Sequence, residues 1–161
     1  MKEVLIKYIE KDRAENILTD LEKNLFSKAS EACNKAYAPY SNFNVGSSLL
    51  LENDIFVSGS NQENASFPCG ICAERTALFS AKSNYPKLKI LKIAITTKSK
   101  EFKNIEPVAP CGLCRQVLLE YEIKQKSTIE IYLFNTKKFL KVSSAKDLLP
   151  FYFSEERLMR K

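Results

Sequence analysis

The chain has 161 residues, of which 45% are hydrophobic and 27% charged, and its formal net charge is +6. This composition indicates a single globular domain over residues 1–161 rather than a disordered segment. Five cysteines and no histidine are present, which excludes a Ser-His-Asp triad, a Cys-His dyad and His-ligated haem.

In chain order, residues 1–16 are expected to be an N-terminal extension, with a short helix over 1–15. Apolar residues then recur every three or four positions and predict an amphipathic helix over 17–37, which Pro39 ends. Strands are predicted at 43–51, 54–60, 90–97, 128–134 and 138–142, and helices at 71–83, 112–122, 145–149 and 154–160. This order indicates an α/β fold with a mixed five-stranded sheet and helices on its faces.

The N-terminal residues and the distribution of lysines indicate the expected setting. Glu3, Lys7 and Glu10 interrupt the first apolar residues, so no signal-peptide core forms. No run approaches the roughly 18 apolar residues of a membrane span. A cytoplasmic protein with reduced thiols and no membrane partner is therefore expected. The lysines are spread along the chain, which favours solvated faces over a nucleic-acid site.

Four of the cysteines form two Cys-x-x-Cys pairs, at 69–72 and 111–114. Two such pairs are typical of a closed structural zinc site with four cysteine ligands. However, Glu74 follows Cys72 by two positions, and Pro110 directly precedes the second pair. The resulting pattern, C-x-E followed by P-C-x-x-C, is the zinc-deaminase signature with cysteine in the first ligand position.

Several separated segments resemble the small, homotetrameric cytidine deaminases. They are YAPYSNFNVGSSLL at 37–50, NQENASF at 61–67, CAERTAL at 72–78, PCGLCRQVL at 110–118 and the C-terminal LLPFYF at 148–153. The resemblance spans about residues 20–156 and implies a three-layer α/β/α fold. It also implies zinc-dependent hydrolysis of cytidine and deoxycytidine to uridine and deoxyuridine plus ammonia in pyrimidine salvage, by a homotetramer with shared active sites.

The resemblance assigns one Zn²⁺ per chain to Cys72, Cys111 and Cys114, which leaves one position open for water. It makes Glu74 the group that carries a proton from this water to nitrogen-3 of the pyrimidine. Three thiolates give the site a formal charge of −1. We therefore expect the Arg75 guanidinium to donate hydrogen bonds to them.

The resemblance also places residues around the substrate. Asn61 and Glu63 are expected to bind the ribose hydroxyls, and Phe43 to pack on the pyrimidine ring. The backbone amide of Ala73 would meet the base carbonyl. Phe153 would come from a neighbouring subunit and help to close the site.

Four further positions bear on this interpretation. Cys69 stands where the family usually has an apolar residue, so we expect a buried thiol, with a fourth zinc ligand as the alternative. Phe67 replaces a tyrosine whose hydroxyl could contact the 5′ end of the sugar. Arg115 is expected to be a surface cation rather than a partner of the thiolates, and Cys33, on the apolar helix face, a core residue.

Two other functions remain open. A related deaminase could act on a nucleotide or on a base within nucleic acid, which the net charge permits. A non-catalytic zinc module with four cysteine ligands would give Glu74 no role. The compact size and the Asn61 and Glu63 motif favour a free nucleoside.

Overall fold

The computed structural model describes residues 1–15, 17–99, 101, 105–155 and 158. None of the helices in these ranges is long and apolar enough to cross a membrane. The regular elements are β1 (Tyr8–Asp12), α1 (Asp20–Cys33), β2 (Phe43–Leu51), β3 (Phe56–Ser60), α2 (Ala73–Asn84), β4 (Ile90–Ser99), α3 (Gly112–Gln125), β5 (Glu130–Phe134), β6 (Lys138–Val142) and α4 (Ala145–Leu148). The expected helix over 154–160 falls mostly outside the described residues.

The strands form one mixed sheet in the order β1-β6-β5-β4-β2-β3, in which β4 and β5 are parallel and the other neighbours antiparallel. The prediction of a mixed sheet is confirmed, although the sheet has six strands rather than five. The additional strand is β1, so the helix expected over residues 1–15 is wrong. Tyr8 pairs with Val142 and Asp12 with Lys138, which satisfies backbone groups at the edge of β6.

Helix α1 covers one face of the sheet. Its N-terminus is a capping box, in which the Thr19 side chain accepts from the backbone N–H of Glu22 and the Glu22 carboxylate accepts from that of Thr19. A Cβ on Gly46 of β2 would collide with the Ala29 carbonyl and the Cys33 backbone nitrogen, so the helix lies directly against the strand. Cys33 is buried there, which confirms its predicted place in the core.

Helices α2 and α3 cover the opposite face and complete the predicted three layers. Ala77, Leu78, Leu118 and Leu119 pack there against the sheet. A Cβ on Gly59 of β3 would lie 2.5 Å from the Ala77 nitrogen and 2.7 Å from the Ala73 carbonyl oxygen. Helix α2 therefore rests on a strand that has no side chain at that point, and this contact fixes the position of its N-terminus.

Candidate active site and metal centre

Three cysteine thiols converge where α2 and α3 begin. Cys72 is the N-cap residue of α2, Cys111 is the N-cap residue of α3, and Cys114 lies in the first turn of α3. The sulfur of Cys111 lies 3.9 Å from that of Cys72 and 3.6 Å from that of Cys114. All three sulfurs lie within 4.8 Å of one another. The predicted placement of these thiols at two helix starts is confirmed.

The three thiols fit a zinc ion. Zn–S bonds of about 2.3 Å in a tetrahedron put neighbouring sulfurs about 3.8 Å apart. The Cys111 sulfur lies at such distances from both other sulfurs, 3.6 Å from that of Cys114 and 3.9 Å from that of Cys72. Within the described part of the chain, no fourth Cys, Asp or Glu joins the cluster. Three ligands and one open tetrahedral position are typical of a catalytic rather than a structural zinc site.

Cys69 lies outside the group of three thiols and is exposed, so its expected burial is wrong. The chain forms a tight 3₁₀ turn over Phe67–Cys69, which Cys69 closes by donating its backbone N–H to Ser66. Ile71 then exchanges backbone hydrogen bonds with Gln62. The segment before Cys72 is therefore not a further turn of α2, and the Cys69 thiol faces solvent. A closed site with four cysteine ligands is therefore not what the fold forms.

Hydrogen-bond donors favour the thiolate form at Cys72. The Cys114 thiol and the Arg75 guanidinium donate to its sulfur and lower the pKa of Cys72 to about 5. The Arg75 Nη2 atom lies 3.8 Å from that sulfur. Arg115, by contrast, donates to the carbonyls of Pro110 at 2.7 Å and Leu148 at 2.9 Å. Arg115 therefore holds the loop before α3 against α4, and it is neither a free surface cation nor a partner of the thiols.

Glu74 is the second residue of α2 and only 4% exposed. Burial, together with the nearby Cys72 thiolate, raises the pKa of the Glu74 carboxyl. Residues two positions apart within a helix point in different directions. Cys72 and Glu74 nevertheless line the same cavity, because Cys72 is the N-cap residue with extended backbone angles (φ −75°, ψ 153°).

A cavity of about 540 Å³ opens beside the thiols. Among the residues singled out from the sequence, those that line it are Phe43, Asn61, Glu63, Cys72, Glu74 and Cys111. None of the described residues that line it is a lysine or arginine. The cavity is mostly apolar and carries two carboxylates, which suits a neutral ligand.

Asn61 and Glu63 are held rigidly at one side of this cavity. The Asn61 side chain accepts from the Val45 backbone N–H at 2.8 Å and donates to the Phe43 carbonyl at 2.9 Å. The Glu63 carboxylate accepts from the Ser41 hydroxyl and from the Tyr40 backbone N–H, and these bonds lower its pKa. Each side chain keeps unused hydrogen-bonding capacity in a fixed orientation.

Comparison with known proteins agrees with this geometry. The family model described as the cytidine and deoxycytidylate deaminase zinc-binding region matches residues 19–129. The chain belongs to this zinc-binding deaminase family. Cytidine deaminase of Sporosarcina psychrophila is 38% identical over 140 residues, which are 86% of this chain and 95% of that protein. Cytidine deaminase of Halalkalibacterium halodurans is 38% identical over 132 residues, covering 82% and 93% of the two chains.

Solved structures of the family have the same fold. The crystal structure of cytidine deaminase from Burkholderia pseudomallei matches with a TM-score of 0.69 and 41% identity, over 84% of this chain and 100% of that one. Cytidine deaminase from Mycobacterium tuberculosis matches with a TM-score of 0.66 and 30% identity, over 86% and 100%. The predicted α/β/α deaminase fold is confirmed.

Two residues expected at the deaminase site have different settings. Ala73 is fully buried as the first residue of α2, where its backbone N–H has no partner within the helix. Phe153 is 69% exposed and does not line the cavity of its own chain. Its backbone carbonyl accepts from Gln116 at 2.9 Å, which fixes the C-terminal segment beside α3. Phe67 is likewise exposed, with its ring centroid 6.1 Å from that of Tyr40.

The cavity also has walls that the sequence motifs do not mark. Ile95 and Thr97 of β4 and Val108 and Ala109 of the loop before α3 line it. Strand alternation places Ile95 and Thr97 on one face of β4, but it does not show which face carries a site. For the loop, the sequence holds one indication that it would line the site, namely that Val108 and Ala109 stand directly before the Pro110 motif.

Proposed function

We propose that this chain catalyses the hydrolytic deamination of cytidine and deoxycytidine to uridine and deoxyuridine, releasing ammonia, in pyrimidine salvage. The observation that carries the proposal is the buried Glu74 carboxyl, which lines the same cavity as Cys72 and Cys111, two members of a cluster of three thiols with one open tetrahedral position. Relatives named cytidine deaminase, 38% identical over most of both chains, support it.

Cys72, Cys111 and Cys114 would hold one Zn²⁺. Zinc bound in such a site lowers the pKa of a coordinated water and so makes a nucleophile available at neutral pH. Arg75 lies beside the Cys72 sulfur and offsets part of the negative charge of three thiolates. The N-terminal ends of α2 and α3 contribute further positive potential at the same point.

Glu74 would move the proton. Its carboxylate accepts a proton from the attacking water and delivers it to nitrogen-3 of the pyrimidine as the oxygen adds to carbon-4. The same carboxylate then takes the remaining proton from the hydroxyl group on carbon-4 and transfers it to the amino group, so that the carbon–nitrogen bond breaks, ammonia leaves and the carbonyl of the uracil ring forms. The raised pKa of the buried Glu74 suits a group that must gain and lose a proton in turn.

The remaining cavity residues would hold the nucleoside. Phe43 would pack on the pyrimidine ring. Ala73 is buried and does not line the cavity, but its backbone N–H, at the first position of α2, would meet the base carbonyl. Asn61 and Glu63 bind the sugar hydroxyls through the hydrogen-bonding positions that their contacts within the chain leave unused. Phe67 supplies no hydroxyl toward the 5′ end of the sugar.

A free nucleoside fits this cavity better than a nucleotide. The described residues that line it include Glu63 and Glu74 but no lysine or arginine. A phosphate entering such a cavity would lose hydration without gaining a cationic partner, and it would meet carboxylates. Comparing the turnover of cytidine with that of its 5′-monophosphate tests this preference, and faster use of the monophosphate would overturn it.

We further propose a cytoplasmic homotetramer of single-domain chains in which Phe153 reaches the active site of a neighbour. The exposed side chains of Phe151 and Phe153 support this arrangement, since they are large apolar groups outside the core. Light scattering on the eluted protein measures the assembly. A monomer with full activity would contradict the shared site.

The decisive experiment replaces Glu74 by Gln. Turnover of cytidine, followed by the ultraviolet change to uridine, should fall by about 10²–10⁴-fold because the proton carrier is lost. Zinc content should stay near one per chain, since the three thiols are untouched. Glu120→Gln, at an exposed position of α3, is the matched control and should keep full turnover. Retained activity in Glu74→Gln would refute the mechanism.

A further inference from the structure

A second cavity, of about 280 Å³, lies at the opposite end of α2 and α3. Its walls are the last turns of both helices and the loop that joins α2 to β4. Four lysines line it, together with Tyr121, Gln125, Pro86 and Leu88. The four lysines are Lys82, Lys87, Lys89 and Lys124, and we call this cavity the lysine pocket. No carboxylate is among the described residues that line it.

Unlike several other lysines of the described chain, those of the lysine pocket have no described carboxylate within ion-pair distance. Ion pairs within 4.0 Å occupy Lys11, Lys23, Lys92, Lys138 and Lys141. Among the described residues, none of the four pocket lysines forms such a pair. The nearby Glu52 carboxylate instead accepts the backbone N–H of Lys89 at 2.9 Å. Glu52 also acts on Lys82 from a distance and works to raise its pKa, so it offsets part of this positive charge, but no described carboxylate pairs directly with the four lysines.

Part of this charge is held in place. The half-buried Lys82 donates from Nζ to the Leu88 carbonyl at 2.5 Å, and Nζ lies 5.8 Å from the centroid of the Tyr121 ring. Gln125 fixes the adjacent wall by exchanging hydrogen bonds with the backbone of Ile90. Burial and the neighbouring Lys124 ammonium lower the pKa of Lys82. An ammonium kept charged here still has two N–H groups for a ligand.

We propose that the lysine pocket binds an oligophosphate group, such as the phosphate chain of a nucleoside triphosphate. Such a group carries several negative charges in a small volume, and it can accept hydrogen bonds from several ammonium groups at once. A concave cavity of about 280 Å³ suits a compact anion better than an extended nucleic-acid strand.

This site is separate from the proposed deaminase site. Lys82 lies ten residues after Cys72 along α2, which is about 15 Å at the rise of an α-helix. No residue that lines the lysine pocket lines the cavity beside the thiols. Loss of oligophosphate binding and loss of deamination can therefore be measured independently.

The test is calorimetric titration of the full chain with inorganic triphosphate. We expect one site per chain, and a Lys82→Gln, Lys124→Gln double variant should bind about 100-fold more weakly, or about tenfold for each ammonium removed. The matched control is Lys28→Gln, Lys35→Gln. Those lysines also line a cavity, but Glu31 shares it. The control has the same net charge as the double variant and should bind triphosphate like the parent chain.

Three results would overturn the proposal. One is absence of binding to the parent chain. Another is equal weakening in both double variants, which would mean attraction to net charge alone. The third is a single-stranded oligonucleotide that binds as tightly as triphosphate and through the same lysines, which would indicate an extended polyanion surface. If Lys82→Gln destabilises the fold in thermal melts, the exposed pair Lys87→Gln, Lys89→Gln replaces it and should weaken binding similarly.

Discussion

The two ends of the α2 and α3 helix pair gather side chains of opposite charge and hold them in different ways. At the N-terminal end, three thiols and a buried carboxyl gather negative groups where backbone N–H groups and Arg75 offset them. At the C-terminal end, four lysines gather where the helix dipoles favour cations, and no carboxylate among the described residues lines the cavity beside them. The same two helices can thus present a metal centre and an anion site.

The difference between the ends concerns how tightly each charge is fixed. The thiols are set by backbone positions at the first turns of two helices, so small shifts of the helices would move the ligands. Of the lysines, only Lys82 is held by a backbone carbonyl, and the others are exposed. We therefore expect substitutions at the N-terminal end to have the larger effects.

The largest effect is expected for Cys111→Ser, which removes the thiol between the other two. Because two thiols cannot complete a three-ligand site, the variant should lose its zinc and all measurable cytidine turnover. Metal analysis by mass spectrometry of the purified protein measures the first effect. Cys69→Ser is the matched control, since Cys69 is exposed and outside the cluster, and it should keep one zinc per chain. Zinc loss in the control would make Cys69 a ligand.

Gly59→Ala should be the next most damaging change, because it acts on the contact that positions α2. The added Cβ would lie 2.5 Å from the Ala77 nitrogen, and backbone at that distance cannot be moved aside cheaply. We expect a loss of about 3 kcal/mol in the free energy of unfolding, measured in urea.

Gly112→Ala is the control for that substitution. It adds a methyl group at the start of α3 with no atom within 4 Å of the new Cβ. Its free energy of unfolding should stay within about 1 kcal/mol of the parent chain. Equal destabilisation by the two changes would show that the position of α2 does not depend on Gly59.

Arg75→Gln tests a smaller contribution at the N-terminal end. Removing the guanidinium leaves the Cys72 thiolate without a cationic donor, so zinc affinity should fall by about 10- to 100-fold. Competition with a chromogenic chelator measures this affinity. Arg115→Gln, which loses contacts to Pro110 and Leu148 only, should leave zinc affinity unchanged. A reversed ranking would assign the electrostatic role to Arg115.

The sequence predicted the N-terminal end far better than the C-terminal end. Cys72 and Glu74, or Pro110 and Cys111, are close in sequence, so their spacing is visible in one chain. The lysine pocket joins Lys82, Lys87 and Lys89 with Lys124, and only the packing of α3 beside α2 brings them together. The exposed Cys69 and strand β1 were missed for a related reason. A 3₁₀ turn and pairing with the edge of β6 decide their structures, and neither has a periodic pattern.

Ionic strength gives the smallest predicted effect and separates the two ends without any substitution. Cytidine is neutral, and the described walls of its cavity are mostly apolar, so its KM should change by less than about twofold between low and high salt. Triphosphate binding should weaken by about tenfold when the ionic strength rises from about 0.05 M to about 0.5 M, because the exposed lysines are screened. Measuring turnover and triphosphate titrations in the same buffers makes the contrast direct. If KM for cytidine followed salt as steeply as triphosphate binding does, charge would govern ligand binding at both ends, and the contrast between them would fail.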